Sequence, residues 1–124
     1  MEIDNFFCKI FLKIEKDKTK DIFLQKISEV LDGDFDKFLF LENELLTIEL
    51  RENKEYDRSK MEDEVDGFLF YPFFLEVDLK DEDNMVKYFS KIIEILKILN
   101  DLHVTYVSAC DFEDELPKSI QLNS

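Results

Sequence analysis

Glycine and proline are scarce. Gly33, Gly67, Pro72 and Pro117 are the only ones in 124 residues. A P-loop or a dinucleotide fingerprint needs several glycines to bring backbone amides close to phosphate, so both are excluded. Tryptophan is absent and His103 is the single histidine. With Cys8 and Cys110 it gives three soft ligands and no CxxC or HxxxH spacing, so no metal centre is expected. Cations are outnumbered: 16 Lys and Arg face 30 Asp and Glu, for a net charge of -14. Direct nucleic-acid binding needs a basic footprint, which this balance excludes. No run approaches the ~20 apolar residues of a membrane span. The opening Met1-Glu2-Ile3-Asp4 is acidic where a signal peptide is basic. The expected setting is the cytoplasm, with both cysteines reduced, buried and inert.

What is present is apolar bulk. Hydrophobic residues make up 45% and aromatics 14%, including 13 Phe. That suffices for one core and one domain, expected over 1–118, with 119–124 a disordered tail. Residues 5–14 alternate with period two, setting Cys8, Ile10 and Leu12 on one face and Phe7, Lys9 and Phe11 on the other. Thr19 is a plausible N-cap for a helix carrying Phe23, Ile27, Val30 and Leu31, and Gly33 should end it. Residues 37–51 read as strand, broken at 42–44 by a tight turn or a bulge. The run 68–79 reads as one long strand, at an edge or bulged because of Pro72. A helix over 84–102 and a strand over 103–110 follow.

The resulting order is the α+β, ferredoxin-like β-α-β-β-α-β sandwich: an antiparallel sheet with two helices on one face and room for one extra short strand. The other face is then bare. If the alternation holds, Phe7, Phe11, Phe68, Phe70 and Phe74 lie on it, a patch large enough to form a homodimer face unless the 52–67 segment or the C-terminal tail folds over it or strand curvature buries it.

The charge is uneven. Residues 1–20 are nearly neutral, whereas 52–67 hold seven acids against Lys54, Arg58 and Lys60. The segments 76–83 and 111–118 are acidic as well. A long polar connection such as 52–67 is often functional. Tyr56 is a lone aromatic among its charges and suits a partner's pocket. Arg51, at a strand end, is expected to pair with an acid of 111–115.

Catalytic constellations are weak. Asp32, Asp34 and Asp36 begin like a calcium loop, but Lys37 stands where its glycine belongs and Asn43 where its bidentate glutamate belongs. His103 and Cys110 are about 20 Å apart along an extended segment, too far for a dyad. Acid pairs arise by chance among 30 carboxylates, and none lies in an apolar setting that would raise its pKa. The reading is therefore a non-enzyme without cofactor.

Two segments carry a resemblance. One is Gly67-Phe68-Leu69-Phe70-Tyr71-Pro72 with Leu75-Glu76-Val77-Asp78. The other is Ala109-Cys110-Asp111-Phe112-Glu113-Asp114-Glu115-Leu116-Pro117, and Arg51-Glu52-Asn53 and Tyr56-Asp57 precede both. Together they resemble a family of small acidic bacterial proteins with an ACDFEDELP-like end, some members of which look like toxin-immunity proteins. The resemblance implies an interaction role. Combined with the charge map, it leads us to expect recognition of a basic, nuclease-like protein through Tyr56, Glu62, Asp63, Glu64, Asp66, Asp111, Glu113 and Asp114. The alternative is a module that self-associates through the five phenylalanines.

Overall fold

The fold, seen in a computed structural model that describes residues 7–63 and 65–110, begins with the alternating segment. Strand β1 (Phe7–Leu12) buries Cys8, Ile10 and Leu12 completely on one side. Phe7, Lys9 and Phe11 take the other side, as period two requires. Helix α1 (Asp17–Leu31) starts one turn earlier than Thr19 suggests. Lys16 holds the N-cap position without a side-chain hydrogen bond, and Thr19 lies inside the helix. Phe23, Ile27 and Leu31 form its buried stripe. Gly33 is not the left-handed residue at its end. Asp32 takes that role at φ 53°, and the amides of Asp32 and Gly33 both return to the Ser28 carbonyl.

Strands β2 (Phe40–Glu42) and β3 (Leu46–Glu52) are joined by a turn, not a bulge. Asn43 Oδ1 accepts from the Leu45 and Leu46 amides at 2.8 and 2.9 Å, while its Nδ2 donates to the Leu31 carbonyl at 3.1 Å. One side chain therefore closes the hairpin and ties it to the end of α1.

The run 68–79 departs most from expectation. Gly67–Phe70 form a 3-10 turn, and β4 covers only Phe73–Leu79. Phe68 and Phe70 are consequently not strand residues. Pro72 lies just before β4, which is an interior strand, so it never removes a ladder hydrogen bond. Helix α2 (Met85–Asp101) buries Tyr88, Ile92, Ile95, Leu96 and Leu99. Tyr88 donates its hydroxyl to the Val77 carbonyl at 2.7 Å, satisfying its one polar atom inside the core. The last strand, β5 (Tyr106–Cys110), is shorter than expected because the chain first turns through His103, at φ 57°.

The sheet order is β2-β3-β4-β1-β5, antiparallel throughout. Since β1 and β3 are both antiparallel to β4, they run parallel to each other with β4 between them. By the same logic β4 and β5 are parallel with β1 between them. Two interleaved βαβ units of this kind define the ferredoxin-like plan, and β2 is the extra edge strand. The core lies between the sheet and the helices. It joins Ile10, Leu12, Ile48, Leu75 and Val77 of the sheet to Phe23 and Ile27 of α1 and to Tyr88, Ile92 and Leu96 of α2.

Cys8 corrects the expectation of free thiols. It is held in a disulfide, and Cys110, the only other cysteine, is its direct register partner on β5. Lys13 donates to the Thr105 carbonyl, so by alternation Cys8 and Cys110 occupy a non-hydrogen-bonded position, where opposed Cα atoms come closest.

Candidate functional site: an acidic lobe on the outer sheet face

Between β3 and β4 the chain does not wander as a loose connection. Three short polar side chains fold it into an ordered lobe. Asn53 donates through Nδ2 to the Leu69 and Tyr71 carbonyls at 2.9 and 2.7 Å, and its Oδ1 accepts the Glu55 amide at 3.0 Å. Its own amide donates to the Pro72 carbonyl. Asp57 Oδ1 accepts from the Ser59 hydroxyl at 2.6 Å and from the Ser59 amide at 3.0 Å. Asp63 Oδ1 accepts from the Val65 and Asp66 amides, both at 2.8 Å. Each is an Asx turn, the local alternative to helix or ladder that Asn and Asp offer. Gly67 completes the lobe, because a Cβ there would collide with the Met61 carbonyl.

The lobe covers the sheet face opposite the helices. Met61, Tyr71, Phe68 and Phe70 pack over Phe11 and Phe74 with Val107, forming a second, smaller apolar cluster. Phe11 is only 7% exposed and meets Phe68 edge to face, with centroids 5.2 Å apart. Such aromatic pairs add about 1 kcal/mol beyond the area they bury. The expected bare row of five phenylalanines therefore does not exist. Phe11 is interior, Phe68 and Phe70 belong to the cover, and Phe7 and Phe74 are half-buried.

Beside the lobe, the outer face is polar. Lys9 Nζ stands 4.2 Å from the Phe74 centroid and 5.0 Å from that of Phe11. Arg51 pairs with Glu49 at 3.4 Å and Glu76 at 3.8 Å; the 111–115 acids, its expected partners, lie outside the described residues.

The carboxylates are tuned by these contacts. Asp57 is held below the usual carboxylate range by the Ser59 hydroxyl first, then by the Ser59 amide, with Lys60 adding its charge. Asp63 is lowered by the Asp66 and Val65 amides. On the open half of the sheet face, desolvation and then Glu76 raise Asp78. Burial and then Glu62 raise the Tyr71 hydroxyl. Among the described residues no three His, Cys, Asp or Glu side chains converge as a metal site.

Among the described residues, grooves lie both beside the lobe and within it. One, of about 500 Å3, runs between the lobe and the start of α1 and is lined by Tyr56, Arg58, Lys16, Lys20, Asp17 and Glu52. Another, of about 690 Å3, lies within the lobe between Lys60, Glu62, Asp63, Asp66, Leu69 and Phe70. Tyr56, 44% exposed, therefore belongs to a mixed-charge groove, apart from Glu62, Asp63 and Asp66. Those three acids share one acidic surface, although Asp63 turns an oxygen onto its own backbone. Glu64, Asp111, Glu113 and Asp114 lie outside the described residues.

Two lobe residues escaped the sequence reading. Val65 is 76% and Leu69 42% exposed, so apolar side chains sit among the acids. Leu69 lies in the run 68–79 that reads as strand, and the 3-10 turn over Gly67–Phe70 is what exposes it. No helix among the described residues is long and apolar enough to cross a membrane. No family model, curated protein or solved structure matches the chain.

Proposed function

We propose that this is a binding protein of the immunity type, which neutralises a basic, nuclease-like protein partner by covering its cationic site with the lobe between β3 and β4. One observation carries the reading. The lobe is ordered from within, yet it presents exposed Val65 and Leu69 among the carboxylates of Glu62, Asp63 and Asp66. Apolar anchors within a rim of one charge are the composition of a recognition surface: the anchors hold and the charges steer. Preordering limits the entropy lost on association.

The proposed compartment is the cytoplasm, where such a partner would act. The disulfide at Cys8 pulls against this, and the full burial of Cys8 is what would shield its sulfur from cellular reductants. The alternative of self-association through Phe7, Phe11, Phe68, Phe70 and Phe74 loses support, because Phe11 lies beneath the lobe.

The test is coexpression with basic toxin domains, beginning with any encoded beside this gene. The wild type should restore growth. The double variant Glu62→Lys, Asp66→Lys should slow association at low salt more than tenfold. An unchanged rate would remove the lobe from the interface.

A further inference from the structure

Within the lobe, Lys60 Nζ lies 5.2 Å from the centroid of the Phe70 ring. We propose that the Phe70 ring is the seat for an arginine side chain of the protein partner, and that Lys60 occupies this seat while the protein is free; the proposal rests on the reading of the lobe as a docking surface for a basic protein.

The ring is fixed from behind. Phe70 packs on the cluster of Phe11, Met61 and Tyr71, and its carbonyl accepts the Asp57 amide at 3.2 Å. Around it the groove offers the exposed carboxylates of Glu62 and Asp66. The Asp63 carboxylate is already turned to the Val65 and Asp66 amides. Leu69 adds an exposed apolar wall.

An aromatic face, two exposed carboxylates and an apolar wall match one side chain better than any other. Guanidinium is planar, so it stacks on a ring face while its fork reaches carboxylates, and its aliphatic stem lies along an apolar wall. Lysine is a compact ammonium that uses the ring but not the fork. Lys60 is therefore a weak resident on a flexible stem, and it can swing into solvent when a partner's arginine arrives.

The probe is a capped Arg-Leu-Arg peptide, with its citrulline counterpart as an isosteric neutral control, titrated into the isotopically labelled full chain and read by amide chemical shifts. The expected shifts cluster at Lys60, Asp66, Leu69 and Phe70, with none from the citrulline peptide. Lys60→Ala should tighten binding about three- to fivefold, and Phe70→Leu should abolish that gain. Lys60→Arg conserves charge yet installs a stronger resident, so it should weaken binding about threefold. This variant lies on the exposed surface and decides the matter even if Phe70→Leu perturbs the lobe.

Unchanged affinity for Lys60→Arg, or shifts spread over other acidic segments, would overturn the arginine seat while leaving the docking reading intact. If Glu62→Lys, Asp66→Lys alters neither peptide binding nor toxin association, both fall.

Discussion

His103 shows how much a single backbone angle matters. It sits just past α2 at φ 57°, where its amide closes onto the Asn100 carbonyl. A side chain in this left-handed region costs about 1 kcal/mol that glycine avoids. His103→Gly should therefore raise unfolding stability by about 1 kcal/mol, measured by urea denaturation; no gain would mean the imidazole makes a compensating contact. Leu39 has a similar angle, φ 60°, but packs against the core, so the same substitution there would sacrifice burial.

The aspartates divide by sign. Asp57 and Asp63 are lowered from 3.8, so the stabilisation they give the lobe is present above the unfolded value and is lost as pH falls through their depressed folded values. Acidification below about pH 4 should speed exchange of the Ser59, Val65 and Asp66 amides before those of β1 or β3 respond. Asp78 runs the other way. Its carboxyl is raised, so it weakens the fold as pH climbs past 3.8. Asp78→Asn should therefore raise the midpoint of urea unfolding at neutral pH and leave it unchanged in acid.

Among the elements, the lobe depends on Asn53 more than on any apolar residue at its rim. Asn53→Ala would strip three side-chain hydrogen bonds, two of them to carbonyls on the returning chain. We expect a loss of about 2 kcal/mol, seen in hydrogen exchange as opening of 55–71 while the sheet stays protected. A uniform loss across the sheet would show that lobe and scaffold unfold as one unit.

The elements also show what the sequence made legible. β1, β3 and α2 carry clean periods of 2.0 and 3.6; the core-facing positions of the two strands follow the alternation, and α2 buries Ile95 beside Tyr88, Ile92, Leu96 and Leu99. The run 68–79 misled because Phe68, Phe70 and Phe74 mimic alternation across a break. The breaking residues, Gly67 and Pro72, were visible, but what they accommodate was not. Gly67 must approach the Met61 carbonyl, and Pro72 must offer its own carbonyl to Asn53. Such requirements belong to chain segments meeting in space and leave no periodic trace. The Asx turns were hidden for a related reason, since an aspartate that binds its own backbone looks the same in sequence as one that faces water.

At the scale of the whole molecule, the disulfide-bonded Cys8 sits where the first strand pairs with the last. A disulfide restricts the unfolded chain, and reduction should lower stability by about 2–4 kcal/mol in paired melts with and without dithiothreitol. An unaltered melt would indicate that packing of β5 suffices. The net charge of -14 works in the opposite direction through self-repulsion, so added salt should narrow the difference between the acidic lobe and the rest of the fold.

Glu52 and Phe73 stand directly across from each other where β3 and β4 part. A tight hairpin could span that gap, so the scaffold does not depend on the intervening chain for its topology. The lobe is thus a cassette set on a fixed frame: under the proposed reading, its surface residues can vary with the partner while the strands that hold it stay the same. Whatever replaces it must still shelter Phe11 from water.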